Sequence, residues 1–273
     1  MNEKFRAEPI DLLPVLASLL VGVFCAAIVL NAPVSLYAVT PFPESPAGSL
    51  GNGVYFVVLA AVGASLIYLL LKRKNLKVVT LITGFAITAA AFLLSSFYLY
   101  SAFSIFNVPY AAVLVLVLAV PITVLTDLAI FRARGSGYSL TILLLGGALG
   151  AFLGISIPIL SAVVILSFLA AYDVFAVYRG PVGKIAQSGL DQLRGLSVSF
   201  RDIQIGLGDL TFYSMLMALV LANAGPALCI FSITGVLIGA FVALKMLERR
   251  GIFPGLPFPV ALGLAPLIAL LFH

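Results

Sequence analysis

The chain has 273 residues, of which 63% are hydrophobic and only 9% charged, with a mean hydropathy of +1.22. Such a composition belongs to a polytopic membrane protein and excludes a soluble globular one. The net charge of +5 does not point to nucleic acid, because the basic residues fall in short loops between apolar runs, where they face anionic headgroups.

A helix needs about 20 apolar residues to cross the hydrocarbon, so at most about nine or ten crossings fit and no soluble domain is left over. Residues 1–273 therefore read as a single membrane-embedded, all-α domain. The basic-leaning start, Met1 to Asp11, precedes the apolar run Leu12 to Leu30. At about 19 residues that run exceeds a signal-peptide core of about 7–15, so it is predicted to be an uncleaved first helix.

Nine spans are predicted in chain order. The first six, about residues 12–178, are Leu12–Asn31, Val54–Leu71, Val78–Tyr98, Pro109–Phe131, Tyr138–Ile155 and Pro158–Tyr178, with a very tight connection at Ile155–Pro158. A loop of about residues 179–202 follows, then Ile203–Ala224, Pro226–Leu247 and Pro254–Phe272. Gly146, Gly150 and Gly154 repeat at four-residue spacing, as do Gly235 and Gly239, which predicts close helix approach.

The basic residues test this division. Lys4 and Arg6 precede span one; Lys72, Arg73, Lys74 and Lys77 separate two and three; Arg132 and Arg134 separate four and five. Arg179, Lys184, Arg194 and Arg201 lie between six and seven, and Lys245, Arg249 and Arg250 at the join of eight and nine. All fifteen fall on one side, which predicts a cytoplasmic amino terminus and an outside carboxyl terminus in the plasma membrane. In the loop after span six, Leu196–Phe200 alternates at period two; a short strand and a solvated linker are both open there.

Among ten carboxylates, only Asp127, Asp173 and Asp209 fall inside predicted spans. An ionised carboxylate in mid-bilayer costs roughly 2.5 kcal/mol or more, so each calls for a reason. Asp173 lies six residues before Arg179, and Asp209 eight after Arg201. At 1.5 Å per residue those offsets are about 9 and 12 Å, so antiparallel neighbours would bring the two acids together. Two carboxylates sharing a site hold one proton between them. The ionised member can then act as general base toward water and the protonated one as general acid toward a carbonyl, with a bell-shaped pH profile. A structural buried pair and a transporter's proton relay are the alternatives that the acids alone leave open.

Two contexts bear on that choice. Gly206, Leu207 and Gly208 precede Asp209, and glycines inside a helix cost about 1 kcal/mol each but let another backbone approach. Pro254-Gly255-Leu256-Pro257-Phe258-Pro259 bars regular helix at the start of span nine, and irregular backbone at membrane depth must line a cavity or be buried in protein. Asp127, five residues before Arg132, is expected near the interface or in helix pairing.

Cys25 and Cys229 lack ligand spacing and read as small core residues. The one histidine, His273, ends the chain, so neither a zinc-protease helix nor a serine–histidine pair within a span can be assembled. No metal and no cofactor is implied.

Tyr172-Asp173-Val174-Phe175-Ala176-Val177, the Arg179-Gly180-Pro181 turn, Gly206-Leu207-Gly208-Asp209 with Phe212-Tyr213-Ser214, and Pro254-Gly255-Leu256-Pro257 together resemble presenilin and its relatives, including signal peptide peptidase. The chain looks like a microbial, archaeal-type member of that superfamily. The resemblance implies intramembrane aspartyl proteolysis, with Asp173 and Asp209 as the catalytic pair. It also implies that Tyr172, Gly206, Leu207, Gly208, Pro254, Gly255, Leu256 and Pro257 meet the substrate, a single-span protein within the lipid bilayer. The family usually has Ala where this chain has Gly255, which is expected to loosen that segment. Homo-oligomerisation is left open. Alternatives are a prepilin or preflagellin-type peptidase sharing the Gly-x-Gly-Asp motif, and an ion- or proton-coupled transporter.

Overall fold

The computed structural model describes residues 6–132, 135–180 and 195–271. Lys4, Arg134, Pro181 of the predicted turn, Lys184, Arg194 and His273 lie outside the described residues. In lipid every backbone polar group must be bonded within its own segment, so the long apolar runs become helices. A 3-10 turn, Pro9–Leu12, leads into α1 (Leu13–Leu30), followed by α2 (Pro46–Lys72), α3 (Leu76–Ile105), α4 (Ala111–Phe131), α5 (Ser136–Ser156) and α6 (Ile159–Tyr178). Then come β1 (Ser197–Phe200), β2 (Ile203–Gly206), α7 (Leu207–Arg250) and α8 (Pro257–Leu271). Seven of the described helices are long and apolar enough to cross a membrane, and α8 is a shorter apolar helix.

The 44 residues of α7 would reach about 66 Å if straight, roughly twice the hydrocarbon thickness. The helix breaks at Gly225 (φ 81°, ψ 176°), a conformation open to glycine, and Pro226 follows. Cys229 Sγ lies 3.7 Å from the Met217 carbonyl. Twelve residues of straight helix would hold them about 18 Å apart, so the second limb folds back along the first. Span seven and span eight of the sequence reading are these two limbs.

Two predicted starts move by four residues or more. The second helix begins at Pro46 rather than Val54, because Ser45 caps it by accepting the Gly48 N–H at 3.0 Å. The seventh begins at Leu207 rather than Ile203, because Ile203–Gly206 is strand β2. It pairs antiparallel with β1 in the register Ser197↔Gly206 to Phe200↔Ile203. The strand reading of 196–200 is therefore the one the fold adopts.

The first limb of α7 is the hub. Every residue from Tyr213 to Val220 is buried, as expected of a helix apolar on all sides. It packs against α1, α5 and α8, while α2 leans on α6 and α3 on α4. The predicted glycine stripes make this possible. A methyl added at Gly150 would lie 2.6 Å from Ser214 Cβ, and one at Gly239 would lie 2.5 Å from the backbone of Phe258. Where α1 meets α7, Ser214 Oγ donates to the Ser18 carbonyl at 3.0 Å. Asp127 takes the helix-pairing role: Thr88 Oγ1 on α3 donates to its Oδ2 at 2.9 Å.

Candidate active site

Asp173 sits near the end of α6, and Asp209 in the first turn of α7. The two meet at a third element, the non-helical segment after α7. Arg250 ends that helix, and Gly251, at φ 75°, turns the chain away. Helix resumes only at Pro257, where a missing N–H costs nothing. Between them, Leu256 donates its N–H to Asp173 Oδ2 at 3.0 Å. Gly255 lies against the other acid: a methyl built on it would stand 2.8 Å from Asp209 Oδ2. Each carboxylate is half-buried.

The offset from Arg201 predicted a depth for Asp209 by helical rise, and that step was wrong, since a β-hairpin occupies the interval. The acids still come to one place, because Asp173 and Asp209 reach the adjacent residues Leu256 and Gly255, while Leu207 N–H donates to the Leu196 carbonyl at 2.8 Å and ties the first turn of α7 to the hairpin base. The glycine argument also changes. Gly206 is the N-cap, with extended backbone, and Gly208 is in the first turn, so neither weakens a helix interior. A Cβ at Gly206 would stand 3.8 Å from Asp209 Oδ2 and one at Gly208 3.9 Å from the Phe212 ring, ordinary contacts, so neither glycine is required by a clash.

The other predicted residues are distributed around this centre. Tyr172 is half-buried next to Asp173. Leu207 points into the bundle, 3.3 Å from where a Gly146 side chain would begin. Pro254 and Leu256 are buried, and Pro257 opens α8. A cavity of about 110 Å³ adjoins Asp209, bounded by Val15, Gln204, Tyr213, Leu247, Phe253 and Gly255. It is large enough to admit water.

Tyr213 was overlooked as a site residue. It lies one helical turn after Asp209, is 4% exposed, and donates its hydroxyl to the Gly255 carbonyl at 2.8 Å. A buried tyrosine at i+4 from an acid is the signal that could have found it, since its hydroxyl must have a partner. Tyr138 was also missed. From α5 its hydroxyl donates to the Ser197 carbonyl at 2.7 Å and accepts the Gly195 N–H at 3.0 Å, which anchors β1.

Register identifies the open edge of the hairpin. With Leu207 bonded to Leu196, the hydrogen-bonded pairs are 198/205 and 200/203. Gln204 and Gly206 then direct their N–H groups away from β1. No further strand pairs with that edge among the described residues.

Comparison with known proteins follows from this geometry. Residues 17–188, well over half of the chain, match the family described as "Signal-peptide peptidase, presenilin aspartyl protease". The match contains Asp173 and ends before Asp209. Two solved structures of a presenilin family intramembrane aspartate protease are similar in fold. The one in space group C222 has a TM-score of 0.66 at 18% identity, and the one in P2 has 0.67 at 20%. Each alignment covers 97% of this chain and 99% of the other. Comparison with curated proteins gives no match. With a half-length family match and a shared fold from end to end, this chain is a multi-pass membrane protein belonging to the signal-peptide peptidase and presenilin family of aspartyl proteases.

Proposed function

We propose that this protein hydrolyses peptide bonds within the membrane-spanning segments of single-span proteins, with Asp173 and Asp209 as its catalytic pair. The observation that carries the reading is their convergence on one short stretch of backbone: Asp173 accepts the Leu256 N–H, and Asp209 rests on Gly255. A purely structural pair gives no reason for an irregular, non-helical segment to lie against both acids.

One ionised carboxylate takes a proton from water as its oxygen bonds to the scissile carbonyl carbon. The other carboxyl gives its proton to the carbonyl oxygen. Collapse of the resulting diol breaks the C–N bond, and the leaving nitrogen receives a proton from the pair. The substrate must unwind first, because helical hydrogen bonds shield its carbonyls. We place the unwound strand along β2, where the N–H groups of Gln204 and Gly206 are open, with Pro254–Pro257 on its other flank. The β1 edge is less suited, because Tyr138 occupies the Ser197 carbonyl.

The two limbs of α7 together with α8 support nine crossings. The charge distribution supports a cytoplasmic amino terminus in the plasma membrane. The test is incubation of the purified protein in bilayers with a single-span substrate, followed by mass spectrometry. Wild type yields fragments cut inside the span, while Asp173→Asn and Asp209→Asn yield none and still fold. Fragments from Asp209→Asn, or ion-dependent uptake without cleavage, would overturn the reading.

A further inference from the structure

The residues before α1 do more than lead into a helix. Arg201, at the tip of the hairpin, extends Nη1 to Glu8 Oε2 at 2.6 Å and to Asp11 Oδ1 at 3.3 Å. Asp11 is only 2% exposed, and its Oδ2 also accepts the Glu8 N–H at 2.9 Å. From the same segment, Ala7 donates its N–H to Glu248 Oε2 at 3.0 Å, and Lys245 Nζ holds that carboxylate at 2.9 Å. The contacts of Arg201 with Asp11 and Glu8 and of Ala7 with Glu248 join parts of the chain 190, 193 and 241 positions apart.

What they join is informative. From Arg201 the chain runs down β2 into Leu207 and then Asp209. From Glu248 it runs through Gly251 to Gly255 and Leu256, which touch both acids. The segment Ala7–Asp11 thus ties together the two chain stretches that deliver Asp209 and its neighbouring backbone. Arg201 has φ 52°, a left-handed conformation uncommon for a side chain of its kind. The charge contacts hold it there, and with it the strand whose open edge borders the site.

We propose that Arg201, held by Glu8 and Asp11, is a positioning residue that sets the register of β2 against the catalytic pair and so selects which substrate bond is cut. The inference rests on the proteolytic reading above. It concerns alignment, so it is read in kcat and in the masses of the products rather than in substrate affinity.

The experiment compares wild type, Arg201→Asn, Arg201→Lys, Glu8→Gln and Asp209→Asn in bilayers with one single-span substrate. Asparagine tolerates positive φ, so Arg201→Asn removes the charge without adding backbone strain. A displacement of reacting groups by about 1 Å costs on the order of 100-fold, and Arg201→Asn should lower kcat by about tenfold or more. KM should change little, and the distribution of product masses should shift from the wild-type pattern. Lysine should restore most of the rate and the wild-type distribution. Glu8→Gln, which alters only a half-exposed side chain, should shift the distribution in the same direction.

Wild-type kcat and the wild-type distribution of product masses in both Arg201→Asn and Glu8→Gln would overturn the proposal. So would a lysine variant no better than asparagine. Cleavage that persists in Asp209→Asn would instead refute the catalytic pair, so the two failures are distinguishable.

Discussion

Replacing Gly255 by alanine should slow the enzyme while leaving it at least as stable. Its φ is not in the left-handed region, so alanine fits the backbone. By restricting the unfolded chain the change should stabilise by about 0.4–1 kcal/mol. The added methyl, however, would stand 2.8 Å from Asp209 Oδ2 and 3.2 Å from its Cγ. The backbone cannot retreat, because Tyr213 holds the Gly255 carbonyl and Leu256 is bonded to Asp173 and buried. The carboxylate must therefore move, from 2.8 Å to an ordinary 3.4 Å contact, a retreat of about 0.6 Å. If about 1 Å of misplacement costs on the order of 100-fold, this retreat costs roughly tenfold in kcat, or about 1.4 kcal/mol of barrier. Steady-state cleavage of a single-span substrate in bilayers, beside a thermal melt, measures both. A Gly255→Ala protein with wild-type or higher kcat would refute the steric reasoning. The resemblance to presenilin led to the opposite emphasis, a loosened segment; the geometry makes Gly255 a matter of room for Asp209.

Tyr213→Phe should destabilise by about 1 kcal/mol, since the half-buried Gly255 carbonyl loses its donor. It should also lower kcat more than it raises KM, and equal loss in both would show that Tyr213 does not hold the site. The hairpin tie should weaken in acid. Arg201 holds the Glu8 carboxyl below the usual glutamate range, through its hydrogen bond and then its charge, with Arg6 and Lys245 adding to the effect. A carboxylate lowered in the folded state contributes stability above its unfolded pKa of about 4.3, and that contribution is lost as pH falls through the folded value. Melting curves of wild type and Glu8→Gln should therefore differ at pH 6 and converge below about pH 4. A separation that persists in acid would mean that the pair contributes nothing through charge.

Much of this protein is legible along the chain, and the reasons are local. Acids in apolar runs, basic residues confined to alternate loops, glycines at four-residue spacing and prolines that bar helix each carry their meaning without a partner. Residues 203–206 were misread because Ile-Gln-Ile-Gly is too short to distinguish a strand from the start of an apolar helix. Pairing with Ser197–Phe200 makes the choice, and pairing is not written in either segment alone.

Composition and spacing by themselves determined a membrane-embedded helical bundle, the few acids within its apolar runs, and the irregular segment around Gly255, because lipid imposes its rules residue by residue. Only the tertiary structure decided that Gly255 leaves room for Asp209 where a methyl would not, that Tyr213 and Tyr138 hold the Gly255 and Ser197 carbonyls, and that Arg201 reaches Glu8 and Asp11 from 193 and 190 positions away. Those contacts depend on where helices and strands come to rest against one another, and packing of distant surfaces, rather than any local preference, sets those positions.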